Sequence, residues 1–300
     1  MEMDSFCRVC CLYSRNGDKY SSGVGAYGSA VLENLDVGAR HVTNTAAGSV
    51  NPPISDSIAP VVETPQRASP RILLVIPCYN EEASIGDLLQ EIAAASADYH
   101  PLVIDDGSSD STGAVAGAHA QVVRLIENLG IGGAVQTGIK YAERHGFDIC
   151  IQIDGDGQHN PQEISALLDA YRQRPHNIVI GSRFIDNTGF RSTVSRRLGS
   201  KLIALALNTL FAGGRITDPT SGMRLMDRRA IEFFARRYPL DFPEPISLAW
   251  AMRAGLSISE TAVEMRARET GESSIDGFKP LTYMIRVLGY ILLARLSNKH

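Results

Sequence analysis

Apolar residues along the chain form short continuous runs that alternate with stretches of helical spacing. The first run, Ile72–Ile76, is followed by apolar residues at 85, 88, 89 and 92, a spacing typical of one helix face. The later strand candidates are 102–104, 122–126 and 148–153, and the helix candidates between them are 113–119 and 134–145. Continuous apolar runs of this length indicate strands buried on both faces of a parallel sheet. The alternation therefore predicts βαβ units and an α/β fold.

Each predicted strand ends in a loop that carries acidic or amide side chains. These residues are Asn80, Glu81, Asp105, Asp106, Asp110, Asn128, Asp154, Asp156 and Gln158. In an open α/β sheet the carboxyl ends of the strands border the ligand crevice. No G-x-G-x-x-G sequence and no P-loop lysine follows the first strand, which argues against a dinucleotide dehydrogenase and a P-loop NTPase. Acidic loops that accept hydrogen bonds from a base and a ribose favour a nucleotide-sugar site.

The stretch 148–159 contains two carboxylates one residue apart, each next to a glycine. Asp154 follows the apolar residues of the strand, and Asp156 and Gln158 come shortly after it. Oxygen ligands of this kind suit Mg2+ or Mn2+ shared with substrate phosphates, and they do not suit zinc. The alternative is an ordinary Asp-Gly turn before the helix expected near Pro161.

Composition narrows the class of protein without naming a function. An apolar share of 44% and a charged share of 21% are ordinary for a globular protein with a core. A net charge of −4 and the lack of a basic stripe argue against a nucleic-acid partner. Cys7, Cys10 and Cys11 would need a fourth ligand to hold zinc, so a reducing, cytoplasmic setting is the simpler interpretation. No uninterrupted apolar run reaches the roughly 18 residues that a membrane span requires.

Three further segments stand apart from the βα pattern. Residues 1–69 are rich in small and polar residues and in proline, which predicts a disordered or loosely attached extension. Residues 191–212 combine a basic start with a broad apolar body, which fits either a core helix or a helix at a membrane interface. Residues 279–300 predict an amphipathic helix that lies on a membrane or docks on a small membrane protein, with a plain core helix as the alternative.

Six short motifs appear in order along the middle of the chain. They are Pro77-x-Tyr79-Asn80-Glu81, Asp105-Asp106-Gly107-Ser108-x-Asp110-x-Thr112, Asn128-x-Gly130-x-Gly132-x-Ala134, Asp154-x-Asp156-x-Gln158, Gly181-Ser182-Arg183 and Asp218-Pro219-Thr220-Ser221-Gly222. This set resembles family 2 glycosyltransferases, and within them the polyprenyl-phosphate sugar synthases of the dolichyl-phosphate mannose synthase type. The resemblance covers roughly residues 71–275. It implies the GT-A fold for residues 70–278, a Rossmann-like, mostly parallel sheet flanked by helices and followed by C-terminal amphipathic helices.

The resemblance also implies roles in binding a nucleotide-sugar donor. Its motifs place the nucleotide against Pro77, Tyr79 and Glu81, the base or ribose at Asp105 or Asp106, the divalent metal at Asp154, Asp156 and Gln158, and the phosphates at Arg183 and Arg268. A guanidinium suits phosphate because its donors pair with two oxygens at once. The segment 268–274 resembles a loop that closes over the diphosphate, but Ser274 stands where the family has lysine.

The acceptor side is predicted from the basic residues of 191–201, from Glu244, and from the segment 218–224, which the resemblance places beside the donor sugar and the acceptor. Residues expected at an acceptor phosphate are Arg191, Arg196, Arg197, Lys201 and Arg224, and the expected catalytic set is Asp156, Arg183, Asp218 and Glu244. Glu244 lies between two prolines, and burial would raise its pKa as a general base requires. A phosphate acceptor is already anionic, so orienting the sugar is the alternative role for Glu244.

The resemblance leads to one expected function and two alternatives. We expect an inverting transferase that moves a hexose or N-acetylhexosamine from a UDP- or GDP-sugar to a polyprenyl phosphate, using Mg2+ or Mn2+, at the inner face of the membrane. One alternative is transfer to a sugar hydroxyl of a cell-surface glycan. The other is a non-catalytic partner that binds the nucleotide sugar, supported only by Ser274.

Overall fold

The computed structural model describes residues 69–185, 194–212, 215–266 and 279–297. Residues 1–68 of the predicted extension lie outside the described residues, as do Arg191, Arg268 and Ser274. Seven strands are described: β1 Ile72–Cys78, β2 Tyr99–Asp105, β3 Gln121–Arg124, β4 Ile149–Gln152, β5 Ile178–Ser182, β6 Arg224–Asp227 and β7 Ile258–Ala262. Eight α-helices are described: α1 Ile85–Ala95, α2 Thr112–Gly117, α3 Gly130–Arg144, α4 Ile164–Gln173, α5 Val194–Leu210, α6 Arg228–Arg236, α7 Pro243–Arg253 and α8 Lys279–Leu296.

The strands form one mixed sheet in the order β3-β2-β1-β4-β6-β5-β7. β6 runs antiparallel to β4 and β5, while the other neighbours pair in parallel. The mostly parallel α/β sheet is therefore confirmed. β6 itself was not predicted as a strand, because its residues follow a polar loop and carry an arginine and an aspartate at their ends.

The core lies on both faces of the sheet, as the continuous apolar runs predict. Leu73 and Val75 of β1 pack on one side with α3, α6 and α7, and Leu74 and Ile76 pack on the other side with α1 and α4. Successive side chains of a strand point to opposite faces, so an apolar run is needed wherever helices cover both. This packing holds the carboxyl ends of β1, β2 and β4 at one edge of the sheet.

The predicted C-terminal helix is present as α8, which packs against α5 and α7. Val287 and Ile291 are buried in the core, whereas Ile285 and Leu293 are more than 60% exposed. α8 thus has one apolar face in the core and a second apolar face toward solvent. Among the described residues, no helix combines the length and the hydropathy that crossing a bilayer would require.

Candidate functional site

A cleft of about 770 Å³ opens at the carboxyl ends of β1, β2 and β4. It brings together six of the residues that the sequence predicted at the donor, namely Pro77, Tyr79, Glu81, Asp106, Asp154 and Asp156. Asn80, Glu82, Asp110 and Asn128 complete the acidic and amide lining. The strand-end loops therefore meet at one site.

Hydrogen bonds between the loops after β1 and β2 fix one wall of the cleft. The backbone amide of Asn80 donates to Ser108 Oγ at 3.0 Å, and the side-chain Oδ1 of Asn80 accepts from the backbone amide of Ser109 at 2.9 Å. The Glu81 amide donates to Thr112 Oγ1 at 2.8 Å. Asn80 has a φ of 57°, a conformation that asparagine tolerates better than most side chains. The wall is thus held by cross-loop contacts rather than by a ligand.

The two adjacent aspartates after β2 have different environments. Asp106 lines the cleft and accepts from the Leu129 amide at 2.8 Å, and burial raises its pKa. Asp105 is fully buried; its Oδ1 accepts from the Ser108 amide at 2.9 Å, and its Oδ2 lies 3.6 Å from Arg124 Nε without a hydrogen bond. The structure therefore places Asp106 in the cleft wall, with Asp105 behind it.

The candidate metal ligands lie beside a close approach of two loops. Asp154 and Asp156 line the cleft, and Asp156 Oδ1 accepts from the Gln158 amide at 3.1 Å. A Cβ placed on Gly222 would lie 2.5 and 2.8 Å from the Asp154 carboxylate oxygens, so only glycine lets this loop reach Asp154. Within the described residues, no group of three or more His, Cys, Asp or Glu side chains could hold a metal. A hard cation here would need phosphate oxygens as further ligands.

Negative charge is concentrated around the cleft floor. The pKa of the Cys78 thiol is raised first by burial and then by Glu81, Asp105, Asp154 and Asp156. A site that gathers several carboxylates favours a cation, because each carboxylate lowers the free energy of a bound positive charge. The donor set and its charge therefore fit Mg2+ or Mn2+.

His159 is a site residue that the sequence reasoning missed. Its ring is 1% exposed, its Nδ1 accepts from the Asp154 amide at 3.0 Å, and its Nε2 makes no hydrogen bond among the described residues. The ring thereby fixes the backbone that carries Asp154. Its place directly after Gln158 was the only sequence signal.

Arg183 and Asp218 form a bidentate ion pair. Arg183 Nε donates to Asp218 Oδ2 at 2.7 Å, and Arg183 Nη2 donates to Asp218 Oδ1 at 2.7 Å and to Thr220 Oγ1 at 2.9 Å. Asp218 is fully buried, and the Arg183 amide adds a further hydrogen bond to Oδ2 at 3.1 Å. Both carboxylate oxygens of Asp218 thus hold Arg183, and the catalytic role of Asp218 stays a prediction.

Arg224 joins the same loop to the start of α7. Its guanidinium donates to the carbonyls of Ser221, Pro219 and Glu244 and to Ser247 Oγ, at 2.9 to 3.1 Å. Arg224 is only 4% exposed. These four hydrogen bonds go to protein acceptors in the interior, and binding of the acceptor phosphate by Arg224 stays a prediction.

Glu244 lies at the first turn of α7, within electrostatic reach of both arginines and of Asp154. Burial raises its pKa, Arg224 and Arg183 oppose the rise, and Asp154 adds to it. Phe242, the residue before this helix, has a φ of 49° and packs edge-on against Tyr283 of α8. The predicted direction of the Glu244 pKa is confirmed, and the residue lies where the acidic cleft and the Arg183 loop meet.

Glu260 of β7 is a second residue that the sequence reasoning missed. Its Oε1 accepts from the amides of Thr217 and Asp218, both at 2.8 Å, and its Oε2 accepts from Thr217 Oγ1 at 2.6 Å. β7 was not predicted from the sequence, and the loop that Glu260 contacts lies 42 residues away along the chain, so no local pattern marked this residue.

The basic residues predicted for the acceptor are only partly described. Arg197 and Lys201 lie exposed on α5, close to the exposed Leu198 and Leu202. The side chain of Arg196 lies outside the described residues, although its backbone belongs to α5. Exposed cations therefore accompany the apolar face of this helix.

Comparisons with known proteins place these features in context. Residues 73–234 match the family model described as Glycosyl transferase family 2. A polyprenol monophosphomannose synthase of Mycolicibacterium smegmatis is 30% identical over 246 residues, or 77% of this chain and 91% of the relative. An undecaprenyl-phosphate mannosyltransferase of Micrococcus luteus is 29% identical over 221 residues, or 69% of this chain and 88% of the relative.

A solved structure supports the fold. The glucosyl-3-phosphoglycerate synthase of Mycobacterium tuberculosis, in complex with Mn2+, UDP and glucosyl-3-phosphoglycerate, superimposes with a TM-score of 0.58 at 23% identity. The match covers 78% of this chain and 82% of the other. It confirms the GT-A-like architecture that the motifs implied.

Proposed function

Because the chain belongs to glycosyl transferase family 2, we propose that it moves a hexose or N-acetylhexosamine from a UDP- or GDP-sugar to a polyprenyl phosphate. The two relatives described above support this acceptor through their names, which specify a polyprenol monophosphomannose and an undecaprenyl-phosphate. The single observation that carries the proposal is the meeting of Asp154 with the 218–222 loop. A Cβ on Gly222 would overlap the Asp154 carboxylate, and Asp218 on the same loop fixes Arg183.

A divalent cation fits the acidic side of this junction. Asp154 and Asp156, with Gln158 as a third oxygen donor, are the residues that we propose to hold Mg2+ or Mn2+ against the diphosphate of the donor. Once bound, the cation supplies Lewis-acid stabilisation of the departing diphosphate. The M. tuberculosis synthase, whose structure contains both Mn2+ and UDP, supports a divalent cation together with a nucleoside diphosphate.

The protein's own groups then act on charge and position. In the transfer, an oxygen of the acceptor phosphate forms the bond to the anomeric carbon while the bond to the diphosphate oxygen breaks, so configuration inverts and a nucleoside diphosphate leaves. Asp218 and Thr220 fix the orientation of the Arg183 guanidinium. Arg183 then stabilises, through its positive charge, the negative charge that accumulates on the diphosphate. The acceptor oxygen is already anionic, so holding it in line supplies much of the rate.

The raised pKa of Glu244 supports a second candidate acceptor, a sugar hydroxyl. Its pKa is raised by burial, which suits a general base that removes a proton from a sugar hydroxyl. A phosphate acceptor needs no such base, and Glu244 would then orient the donor sugar. Glu244→Gln separates the two: loss of turnover by about a thousand-fold supports a hydroxyl acceptor, and a loss below about ten-fold supports the phosphate.

The outer faces of α5 and α8 support attachment at a membrane surface. Leu198, Leu202 and Leu205 form an exposed stripe on α5, and the cations Arg197 and Lys201 lie beside them. On α8 the exposed residues are Ile285, Leu292, Leu293 and Leu296. Apolar residues flanked by cations favour the interface of an anionic bilayer. We therefore propose that this chain works as a peripheral protein of the membrane that holds its lipid acceptor.

Sedimentation with vesicles tests that attachment. The wild-type protein should pellet with vesicles that contain anionic phospholipid. The double variant Leu202→Gln with Leu293→Gln should pellet less by about ten-fold or more, since each change removes exposed apolar area that would enter the bilayer interface on binding. Leu240→Gln, which is also exposed at 61% but lies outside the two stripes, is the matched control. Equal pelleting of all three proteins would contradict the proposed surface.

Transfer of radiolabel into lipid tests the function. Purified protein is supplied with undecaprenyl phosphate, Mg2+ or Mn2+ and each of a panel of labelled UDP- and GDP-sugars. One donor should label an organic-extractable product, and chelation of the cation should stop the transfer. If a nucleotide sugar binds but no lipid is labelled, the polyprenyl-phosphate acceptor is wrong. If no nucleotide sugar binds, the donor-site proposal is wrong.

A further inference from the structure

Glu260 is a carboxylate with a defined set of hydrogen bonds that the proposed binding of the nucleotide sugar does not account for. It lies on β7, opposite Ile180 of the neighbouring strand β5. Its carboxylate accepts three hydrogen bonds, two from the consecutive amides of Thr217 and Asp218 and one from the Thr217 hydroxyl. None of the ion pairs among the described residues includes Glu260. The carboxylate therefore serves as an acceptor for a loop, and it has no cationic partner within the part of the chain that the structure describes.

The loop that Glu260 holds is the one that fixes Arg183. The Asp218 amide is bonded to Glu260 at 2.8 Å, and the Asp218 carboxylate holds two guanidinium nitrogens of Arg183 at 2.7 Å each. Ser182 Oγ lies 3.1 Å from Thr217 Oγ1 and joins the end of β5 to the same loop. A continuous path of hydrogen bonds thus runs from β7 through a peptide unit to the guanidinium.

We propose that Glu260 is a positioning residue that sets the orientation of Arg183 toward the donor diphosphate through the Thr217–Asp218 peptide. The inference rests on the proposed function in that Arg183 is taken to stabilise the diphosphate. Such a path of hydrogen bonds holds a guanidinium in place, so that it can stabilise a developing negative charge without reorganising during the reaction. Residues that orient a functional group without touching the substrate typically change rates by ~10- to 100-fold when removed.

Two variants separate the reach of the side chain from its charge. Glu260→Gln keeps the length and the carbonyl that accepts both amides, and its NH2 donates to Thr217 Oγ1, which reverses one hydrogen bond. Glu260→Asp keeps the charge but is one methylene shorter, so it loses the hydrogen bonds from the backbone amides of Thr217 and Asp218. The structure predicts near wild-type kcat for Glu260→Gln and a decrease of ~10- to 100-fold for Glu260→Asp. Glu264→Gln, an exposed glutamate just beyond β7, is the matched control.

A double-mutant cycle tests whether Glu260 acts through Arg183. Glu260→Asp should lower kcat by ~10-fold or more in the wild-type background and by less than about two-fold in the Arg183→Ala background, because the positioned group is then absent. The KM for the donor should change less than kcat, since the additional negative charge on the departing diphosphate develops only as its bond to the anomeric carbon breaks. Equal effects of Glu260→Asp in both backgrounds would overturn the proposal.

A readout that needs no activity keeps the two proposals distinguishable. In 15N spectra the Arg183 Nε–H signal, assigned by its loss in Arg183→Lys, should exchange slowly with solvent in the wild type. Exchange should become ~10-fold faster in Glu260→Asp and stay slow in Glu260→Gln and Glu264→Gln. Unchanged exchange in a folded Glu260→Asp protein would overturn the positioning role. Faster exchange in a protein that transfers no sugar would sustain it and would contradict only the proposed function.

Discussion

The two halves of the candidate site handle charge in opposite ways. At the ends of β1, β2 and β4 carboxylates face an open cleft, and the Asp154 side chain is 36% exposed. At the ends of β5 and β6 the charged groups are enclosed: Asp218 is fully buried, and the Arg183 side chain is 14% exposed. The first half gathers like charges, which repel one another until a cation binds. The second half pairs each guanidinium with acceptors of the protein.

This difference indicates how each half contributes to the work of the site. Like charges held around a cleft cost stability, and a cation and a diphosphate remove that cost on binding. Buried guanidinium pairs need a complete set of acceptors, because an unpaired buried charge is strongly destabilising. Substitutions in the open half should therefore reduce activity with little effect on folding, whereas substitutions in the enclosed half should reduce both.

The largest expected effect on activity comes from Asp156→Ala in the open half. Transfer should fall by at least about a hundred-fold, because a ligand to the cation that stabilises the departing charge is lost. The free energy of unfolding should change by less than about 1 kcal/mol, since removing one of several neighbouring negative charges offsets the loss of the hydrogen bond from the Gln158 backbone amide. Asp169→Ala, an exposed aspartate of α4 paired with Arg172, is the matched control in assays of transfer rate and urea unfolding. A large loss of stability in Asp156→Ala would erase the contrast between the halves.

Asp218→Asn tests the enclosed half. The change leaves Arg183 without its carboxylate, so the free energy of unfolding should fall by about 2–4 kcal/mol, and transfer should fall by about ten-fold or more. Glu232→Gln, which removes the exposed ion pair with Arg228 on α6, should cost less than about 1 kcal/mol. Urea titration of both variants measures the difference. Equal stabilities would show that enclosure of the Arg183 pair contributes little.

Gly222→Ala tests the close approach between the open half, at Asp154, and the loop of the enclosed half. The added methyl group would press on the Asp154 carboxylate, so affinity for a nucleoside diphosphate in the presence of Mn2+ should fall about ten-fold. Gly289→Ala on α8, where a Cβ meets open space, should leave that affinity unchanged and stabilise the helix by ~0.5–1 kcal/mol. Calorimetric titration measures both affinities. Unchanged affinity in Gly222→Ala would show that the two halves are not coupled through this contact.

The smallest expected effect concerns the pH dependence of Glu244. Its pKa in the folded protein is raised above the ordinary value of 4.5, so the folded state binds this proton more tightly than the unfolded chain does. The stabilisation from Glu244 is then complete below about pH 4.5 and is lost as the pH rises through the folded pKa. Glu244→Gln, which imitates the protonated form, should therefore be more stable than the wild type at about pH 7 and equal to it at about pH 4. Thermal unfolding across this range measures the difference, and a constant difference would contradict the raised pKa.

The open half could be predicted from the sequence, because its groups follow directly from strand ends. A continuous apolar run fixes where β1 and β4 end, and the residues that come next must reach the carboxyl edge of the sheet. Asp154 and Asp156 were located in this way. Their neighbour His159 was not predicted as a site residue. Its hydrogen bond from the Asp154 backbone amide depends on the path of a loop, which leaves no periodic signal in the sequence.

The enclosed half could not be predicted, because its contacts join distant parts of the chain. The family resemblance placed Asp218 and Arg224 beside the donor sugar and the acceptor. Their hydrogen-bond partners in the structure include Arg183, which lies 35 residues from Asp218, and a carbonyl that lies 20 residues from Arg224. Glu260 holds its loop from a strand that follows much later. Local sequence shows that a charge is present, but only the fold shows whether a protein group or a ligand neutralises it.

The most direct test of the central claim compares two acceptors that differ only in their phosphate. Undecaprenyl phosphate and undecaprenol are each incubated with the protein, Mg2+ and the donor that the panel identifies, and the anomeric configuration of any lipid-linked sugar is determined by NMR. The account predicts product from the phosphate alone, with configuration inverted relative to the donor. Transfer to undecaprenol, or retained configuration in the product, would contradict it.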